Sequence, residues 1–465
     1  MKGEIEVGNQ TYSEKLTEFG IQLKYGDIPA LAITNAKYHI LDVIGVILAS
    51  SYSDTANTIK NTLHKMGGRQ ESTVIGSDNK FPAPLAAMAN ATMAHTPDFD
   101  DTHGESIIHP SSVVVPTSLA VGETQGTNGK DFIAAAVAAY EIILRIGMVA
   151  PGKFHAIGFH PTPICGIFGA ALISGKLKGL GPLTIRNAMG ICGSQAAGLL
   201  EFLSDGSSVK RFHPGWACYS GIFATLLAEE GMTGPATVLE GRFGFYRTHL
   251  NKEECNLERL TEGLGTKWEV NNISYKLYPC CHHIPAFADC VREITRKEMI
   301  QPDEIEEIEC IISPGQADLV CRPVEDKVAP RTPYDAKFSL PYVIAVMILR
   351  GKCGLNDFTD EAIREEKVLQ LAKKVKHTLS DSTGYPGSFP GWVKIKLKNG
   401  KVLEHREKVN RGRPDNPVGE EEIIDKFENN AQLLLSSQKV KKIKEQILNI
   451  EGLKDIRSVT SNFVF

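Results

Sequence analysis

No two of the ten cysteines in this 465-residue sequence are spaced as C-x-x-C, and their intervals are irregular. An iron–sulfur protein would ordinarily display such a pair with a third cysteine, and a disulfide framework belongs to short secreted chains. The thiols therefore read as reduced and mostly buried. A dominant charge is lacking too. Lys and Arg total 51 against 55 for Asp and Glu, a net charge of −4, which gives no reason to expect a nucleic-acid or anionic-membrane partner. No segment reaches the ~18 uncharged apolar residues of a membrane span. The greasiest stretch, 132–149, is interrupted by Glu141 and Arg145. Residues 1–6 carry charge and no apolar core, so they do not read as a secretory signal, and the expected location is cytoplasmic. Internal repeats and low-complexity segments are missing as well.

What is present is the profile of a packed globular protein, 42% hydrophobic and 23% charged. The length is too great for one ordinary core, so two domains are expected. Residues 13–265 read as successive helices. Pro29 opens an apolar pattern running through Leu41, Ile44, Ile47 and Leu48, as proline is tolerated in a first helical turn. Residues 86–94 are Ala-rich, Asp131 is placed to cap a helix over 132–147, and 159–175 and 184–202 are Gly/Ala-rich with apolar repeats. Small residues let helices approach closely, which predicts a helical bundle. After residue 268 the character changes. Ile305–Ile312 reads as a strand, and 392–398 alternates strictly before Asn399-Gly400, a hairpin signal in which both turn residues take positive φ. Helical patterns follow at 339–349 and 361–376 and again over 420–448, where Ile423, Phe427, Leu433, Ile443 and Ile447 are the expected buried positions. The fold class expected is mainly α: a helical domain over 1–268, an α+β domain over 269–415, and C-terminal helices over 416–465 rejoining the first.

The densest polar cluster runs from His95 through Asp98, Asp100, Asp101, Thr102 and His103 to His109-Pro110. Three carboxylates in four residues are costly to bury without a task. If the segment is helical, Asp98 and Thr102 share a face; alternatively it is a solvated acidic turn before a helix starting near Pro110. Asp98-x-Asp100-x-Thr102 also matches the D-x-D-x-T motif of haloacid-dehalogenase-type phosphatases. That chemistry needs a buried parallel strand before the motif, whereas residues 88–94 favour helix and Pro97 intervenes. A terpene-cyclase-like D-D-x-x-D fails because position 104 is Gly. Further clusters are Gly158-Phe159-His160-Pro161, Lys210-Arg211-Phe212-His213-Pro214-Gly215, the run from Tyr275 and Lys276 to Cys280-Cys281-His282-His283, and 336–342 ending at Tyr342. Paired cations among glycine and aromatic residues suggest a bound anion. Cys-Cys-His-His lacks the loop spacing that lets four side chains surround zinc.

In this order the five segments resemble the MmgE/PrpD family, which contains 2-methylcitrate dehydratase, cis-aconitate decarboxylase and iminodisuccinate epimerase. The resemblance spans about 30–410 and rests on H-x-x-D-F-D-D-T at 95–102 with His109-Pro110, G-F-H-P at 158–161, K-R-x-H-x-G at 210–215, the Lys276 segment, and A-K-F-S-x-x-Y at 336–342. It implies a large helical domain built from both chain ends with an inserted α+β lid, a homodimer, and neither metal nor organic cofactor. It also implies a pocket between domain and lid, lined by Asp98, Thr102, His109, His160, Lys210, Lys276 and Tyr342, with Arg211 a weaker cation. Several relatives place a histidine five residues after the lid lysine; here position 281 is Cys, and His282 or His283 takes that part, His282 being the candidate carried forward.

The substrate implied is a small acid with two or three carboxylates, and no nucleic-acid or membrane partner is implied. Dehydration, decarboxylation and epimerisation share one problem, a carbanion beside a carboxylate, which lysine ammonium groups stabilise best in a dry site. His109 or His160 is expected to move the proton, with Asp98 and Thr102 orienting it or the substrate. The expected activity is a cofactor-independent lyase, dehydration of 2-methylcitrate or a similar 2-hydroxy tricarboxylate first, decarboxylation or epimerisation as alternatives, and a Mg²⁺-dependent phosphatase or a non-catalytic binding protein more remotely.

Overall fold

In the computed structural model, residues 10–250, 255–385 and 389–463 are described; the charged segment 1–6 lies outside them. The chain divides into two compact units. One comprises residues 1–96, 100–274 and 419–465, the other 97–99 and 275–418.

The first unit is a helical bundle. Its central helix is Ala30–Ser50, begun after Pro29 and buried at Leu41, Ile44, Ile47 and Leu48. By length and composition this helix is apolar enough to cross a membrane, yet most of it is buried inside its own unit and it carries Asp42 and Lys37. Against it pack Ala83–His95, Ser111–Gln125, Gly129–Met148 and the C-terminal helices Glu420–Ala431 and Ser437–Leu448, while Pro161–Leu177, Pro182–Cys192 and Val209–Glu229 complete the bundle beyond them. Small residues set the spacing, as the Gly/Ala-rich pattern implies. A Cβ on Gly221 would meet the Ile167 carbonyl oxygen at 2.6 Å, and one on Gly215 the Met88 carbonyl at 2.7 Å. Val209–Glu229 therefore lies directly against both Pro161–Leu177 and Ala83–His95. Glu141 and Arg145, the charges that interrupt 132–149, are both buried and pair 3.4 Å apart, while Arg145 also donates to the Glu262 and Lys267 carbonyls.

Three local expectations differ here. Asn128, not Asp131, caps the helix Gly129–Met148, its side chain accepting from the Asp131 amide. The pattern over 184–202 ends as helix at Cys192, with a short 3₁₀ turn at Leu200–Leu203. Leu433 is half-exposed, because it follows the end of Glu420–Ala431 rather than lying on its inner face. Ile423, Phe427, Ile443 and Ile447 are buried as expected.

The second unit is α+β. Its sheet runs in the order Val375–Leu379, Ile305–Ile312, Gly391–Leu397, Val402–Glu407; the first pair is parallel and the others antiparallel. The strand Val375–Leu379 overlaps the helical pattern expected over 361–376 at Val375 and Lys376. That stretch breaks into a 3₁₀ turn at Ala362–Arg364, the helix Glu366–Ala372 and then the start of the strand, because pairing with the apolar Ile305–Ile312 outweighs local preference. The Asn399-Gly400 hairpin is present with Gly400 at φ 88°. Asn399 is not at positive φ, so the loop is a three-residue one with glycine in the left-handed position instead of a two-residue mirror turn. The helix Pro285–Lys297 packs its Phe287, Ala288, Cys290 and Val291 into the core against this sheet, and a Cβ on Gly391 would strike the Ala286 backbone at 2.4 Å. None of the ten cysteines is in a disulfide, and only Cys255 is exposed.

The chain's C-terminal segment is joined to the first unit by a buried ion pair. Lys426 Nζ lies 2.8 Å from Asp42 Oδ1 and 3.0 Å from Oδ2. Lys426→Met strands a buried carboxylate and is expected to cost about 3–5 kcal/mol in urea unfolding. The double variant Asp42→Leu/Lys426→Met recovers most of that loss.

Candidate active site

The helix Ala83–His95 is Ala-rich, has proline in its first turn and is buried along its length. It ends before Pro97, which has no backbone N–H with which to continue the helical ladder after Thr96. The following residues are therefore not helical, so Asp98 and Thr102 share no helix face. Thr102–His103 is instead a short strand paired antiparallel with Ile273–Ser274, and Asp98 adopts a left-handed φ of 54°.

Asp100 and Asp101 lie buried in this turn, each held by an imidazole. His95 Nδ1 is 2.7 Å from Asp100 Oδ2, and His39 Nδ1, from the central helix, is 2.8 Å from Asp101 Oδ2. Asp101 also accepts the Ser111 amide at 3.2 Å and the Ser111 hydroxyl, tying down the start of Ser111–Gln125, where the helix dipole is positive. The Ser111 hydroxyl in turn meets the Tyr140 hydroxyl at 2.6 Å.

His109 closes the segment. Its Nδ1 lies 2.9 Å from the Asp101 carbonyl oxygen and 3.0 Å from Thr102 Oγ1. A carbonyl only accepts, so Nδ1 carries the hydrogen and the lone pair resides on Nε2. His160 sits just before Pro161–Leu177, its amide donating to the Gly198 carbonyl. Its Nδ1 is 3.0 Å from Nδ1 of His213 in the helix Val209–Glu229, so one of the two rings donates to the other. The rings of His95 and His160 stack at 5.6 Å, and His95 and His109 lie 4.8 Å apart. One nitrogen from each of His95, His109 and His160 lies within 4.8 Å of the others.

Burial holds two of these rings neutral. Desolvation, followed by the neighbouring His95, Lys210, His213 and His109, pushes His160 well below the ordinary histidine range. Desolvation, then His95 and Lys210, brings His213 down to about 4.

The sequence-selected residues are distributed as follows. His109, His160 and Thr102 come together in the first unit, and Lys210 lies within electrostatic reach of His160 and His213. Lys210 and Arg211 occupy the first turn of Val209–Glu229, and Arg211 donates to Thr55 Oγ1 at 2.8 Å. In the second unit, Lys276 Nζ is 3.0 Å from both Asp98 Oδ1 and the Asp98 carbonyl oxygen, so Asp98 positions a lysine. Lys337 Nζ donates to the adjacent Pro97 carbonyl. His282 and His283 are both half-buried against Phe389. Tyr342 is fully buried and gives its hydroxyl to the Asp357 carbonyl. Three residues of the cluster were not selected: His95, Asp100 and His213. All stand inside the quoted motifs, but only a turn that brings residue 95 back to residue 100, and a helix that carries residue 213 against residue 160, reveal their part.

Comparison with known proteins places the chain among relatives along nearly its whole length. The MmgE/PrpD N-terminal domain matches residues 14–258 and the MmgE/PrpD C-terminal domain residues 278–451. The chain is 26% identical to a cis-aconitate decarboxylase-like protein of Aspergillus oryzae, covering 97% of this chain and 96% of the relative. It is 26% identical to a cis-aconitate decarboxylase of Aspergillus terreus over 95% and 94% of the two chains. It is 22% identical to a mitochondrial 2-methylcitrate dehydratase of Yarrowia lipolytica over 83% and 78%.

The neutral histidines make a stability prediction. Below pH ~6.5 the unfolded chain takes up protons that the folded His160 and His213 refuse, so stability falls as pH drops from ~6.5 toward ~4 and is unaffected by these rings above that window. Urea unfolding across this range is expected to show it. His213→Asn should flatten the slope by up to about 1.4 kcal/mol per pH unit, the contribution of one proton; an unchanged slope would mean that His213 is protonated in the folded state.

Proposed function

The chain belongs to the MmgE/PrpD family and is an enzyme of the lyase kind, and on that premise we propose that it decarboxylates cis-aconitate or a closely similar unsaturated tricarboxylate without a cofactor. The observation that carries the reading is the pair His109 and His160, the first with its Nδ1–H held by the Asp101 carbonyl and the second bonded to His213, within electrostatic reach of Lys210. The near full-length likeness to cis-aconitate decarboxylases favours loss of CO₂ over loss of water.

In the proposed reaction the C–C bond to one carboxylate breaks and CO₂ leaves. The electron pair passes through the conjugated double bond toward a remaining carboxylate. Lys210, Lys276 and, more weakly, Arg211 bind the carboxylates and stabilise the charge as it develops. Asp98 engages two of the three N–H groups of Lys276, which aims the third. His109, which takes up a proton on Nε2 when the negative substrate binds, returns that proton to carbon, because its Nδ1–H is committed to the Asp101 carbonyl and Thr102. His160, neutral near pH 7, suits a proton acceptor and not a resting acid. That pairing of an acceptor with a donor supports the second reading, dehydration of a 2-hydroxy tricarboxylate such as 2-methylcitrate. There His160 takes a Cα proton and His109 protonates the departing hydroxyl. His282 remains a proposed substrate contact.

Incubation with cis-aconitate, citrate, 2-methylcitrate and iminodisuccinate in D₂O, followed by proton NMR, distinguishes CO₂ loss, water loss and simple exchange. Decarboxylation of cis-aconitate with one deuteron incorporated at carbon is the expected outcome, and inertness toward all four acids would overturn the reading. His109→Ala and His160→Ala should each lower kcat by about 10²–10⁴-fold with the fold retained. Turnover should survive excess EDTA, which a Mg²⁺-dependent phosphatase would not.

A further inference from the structure

We infer that His95, His109 and His160 together form a binding site for one Zn²⁺-class divalent transition-metal ion, and that the bound ion inhibits the enzyme. Imidazole groups from three different segments converge: the end of Ala83–His95, the residue before Pro110, and the residue before Pro161–Leu177. One nitrogen of each lies within 4.8 Å of the others. His95 and His160 are buried and His109 is nearly so.

The second observation is how the rings are held. His95 Nδ1 faces the Asp100 carboxylate at 2.7 Å, His109 Nδ1 the Asp101 carbonyl at 2.9 Å, and His160 Nδ1 the ring of His213 at 3.0 Å. Every Nδ1 is engaged, so the remaining donor atom is Nε2 in each case. An outer carboxylate or carbonyl that orients the ring and raises its basicity is the support metal-ligating histidines use. His95 Nε2 is buried and has no hydrogen-bond partner among the described residues, a state that costs free energy in a protein interior. A cation at the centre of the three rings would satisfy it.

Imidazole donors suit Zn²⁺, Ni²⁺ and Cu²⁺, whereas Mg²⁺ and Ca²⁺ require oxygen ligands. Tetrahedral Zn–N bonds of about 2.0–2.1 Å place ligand nitrogens roughly 3.3 Å apart, so the rings turn inward on binding, and water completes the four ligands. Inhibition follows because the ion occupies the Nε2 lone pairs that the proposed proton transfers use; this half of the inference rests on that proposed function, while binding itself does not.

The test uses the full chain, stripped with EDTA and desalted. Calorimetric titration with Zn²⁺ is expected to give one equivalent bound with Kd of about 10 µM or tighter. Co²⁺ should give the intense visible bands of a four-coordinate nitrogen site, and Zn²⁺ should raise the melting temperature. His95→Ala, which removes a direct ligand, should weaken binding by more than the roughly 10–100-fold that loss of an outer-shell partner costs, whereas His103→Gln, outside the cluster, should not. If His95→Ala does not fold, His160→Gln serves in its place. Absence of stoichiometric binding, or binding indifferent to both cluster variants, overturns the site. Turnover should fall as Zn²⁺ binds and return with EDTA; Zn²⁺ bound without loss of turnover overturns the inhibitory role. A chain that binds Zn²⁺ but converts none of the four acids contradicts the proposed reaction and leaves the metal site standing.

Discussion

Two adjacent carboxylates, Asp100 and Asp101, are buried in a turn where water cannot solvate them, and the surrounding bundle is arranged to answer that cost. Each takes an imidazole, His95 from within five residues and His39 from the central helix. Asp101 also holds the start of Ser111–Gln125 through Ser111 and, by its own carbonyl, fixes the hydrogen on His109. The Lys426 ammonium, brought by the C-terminal segment, pairs with Asp42 one turn along from His39 and feels both aspartates. Three helices, the chain's end and the orientation of the reactive histidine thus depend on the same pair of charges. Removing one partner of such a network leaves a buried charge without compensation, which is why it behaves as a unit.

The same burial sets the chemistry. A ring that cannot hold its proton in a dry, cation-rich surrounding is a poor acid until something negative arrives. Under the proposed reaction that something is the substrate itself, whose carboxylates offset Lys210 and favour protonated imidazole. Substrate binding and loading of the proton are then one event, and desolvation, which disfavours charge on His160 at rest, magnifies the attraction of every fixed ammonium once the acid is bound. Lys276 is prepared differently: in the second unit Asp98, in a left-handed backbone conformation unusual for a side-chain-bearing residue, grips it with both side chain and carbonyl.

Much of the secondary structure was legible because its signals are local. Pro29 opens a helix where an N–H has no internal partner, and Ile305–Ile312 is β-branched enough to be a strand. The failures are of the opposite kind. Val375 and Lys376, at the end of a helical pattern, join a strand because Ile305–Ile312 lies alongside, a partner more than sixty residues away. The Asn399-Gly400 turn takes a longer loop because the register of the two strands, not the dipeptide, sets its length. Leu433 is exposed because the helix before it has already ended. The acidic run 98–102 loses its helical reading to a proline and to pairing with Ile273–Ser274.

The site divides along the same line. Residue types in fixed order, from His95 to Tyr342, suffice to identify the family, the mainly helical architecture with an α+β unit, and the histidines and lysines worth examining, since those features are written in short motifs. Which histidine faces which carboxylate, that Asp98 serves Lys276, that Tyr342 gives its hydroxyl to Asp357, and that His213 joins His160 could be decided only by the folded chain. Hydrogen-bond partners and desolvation are properties of what surrounds a side chain in space, and the groups that surround these come from segments scattered over more than a hundred residues.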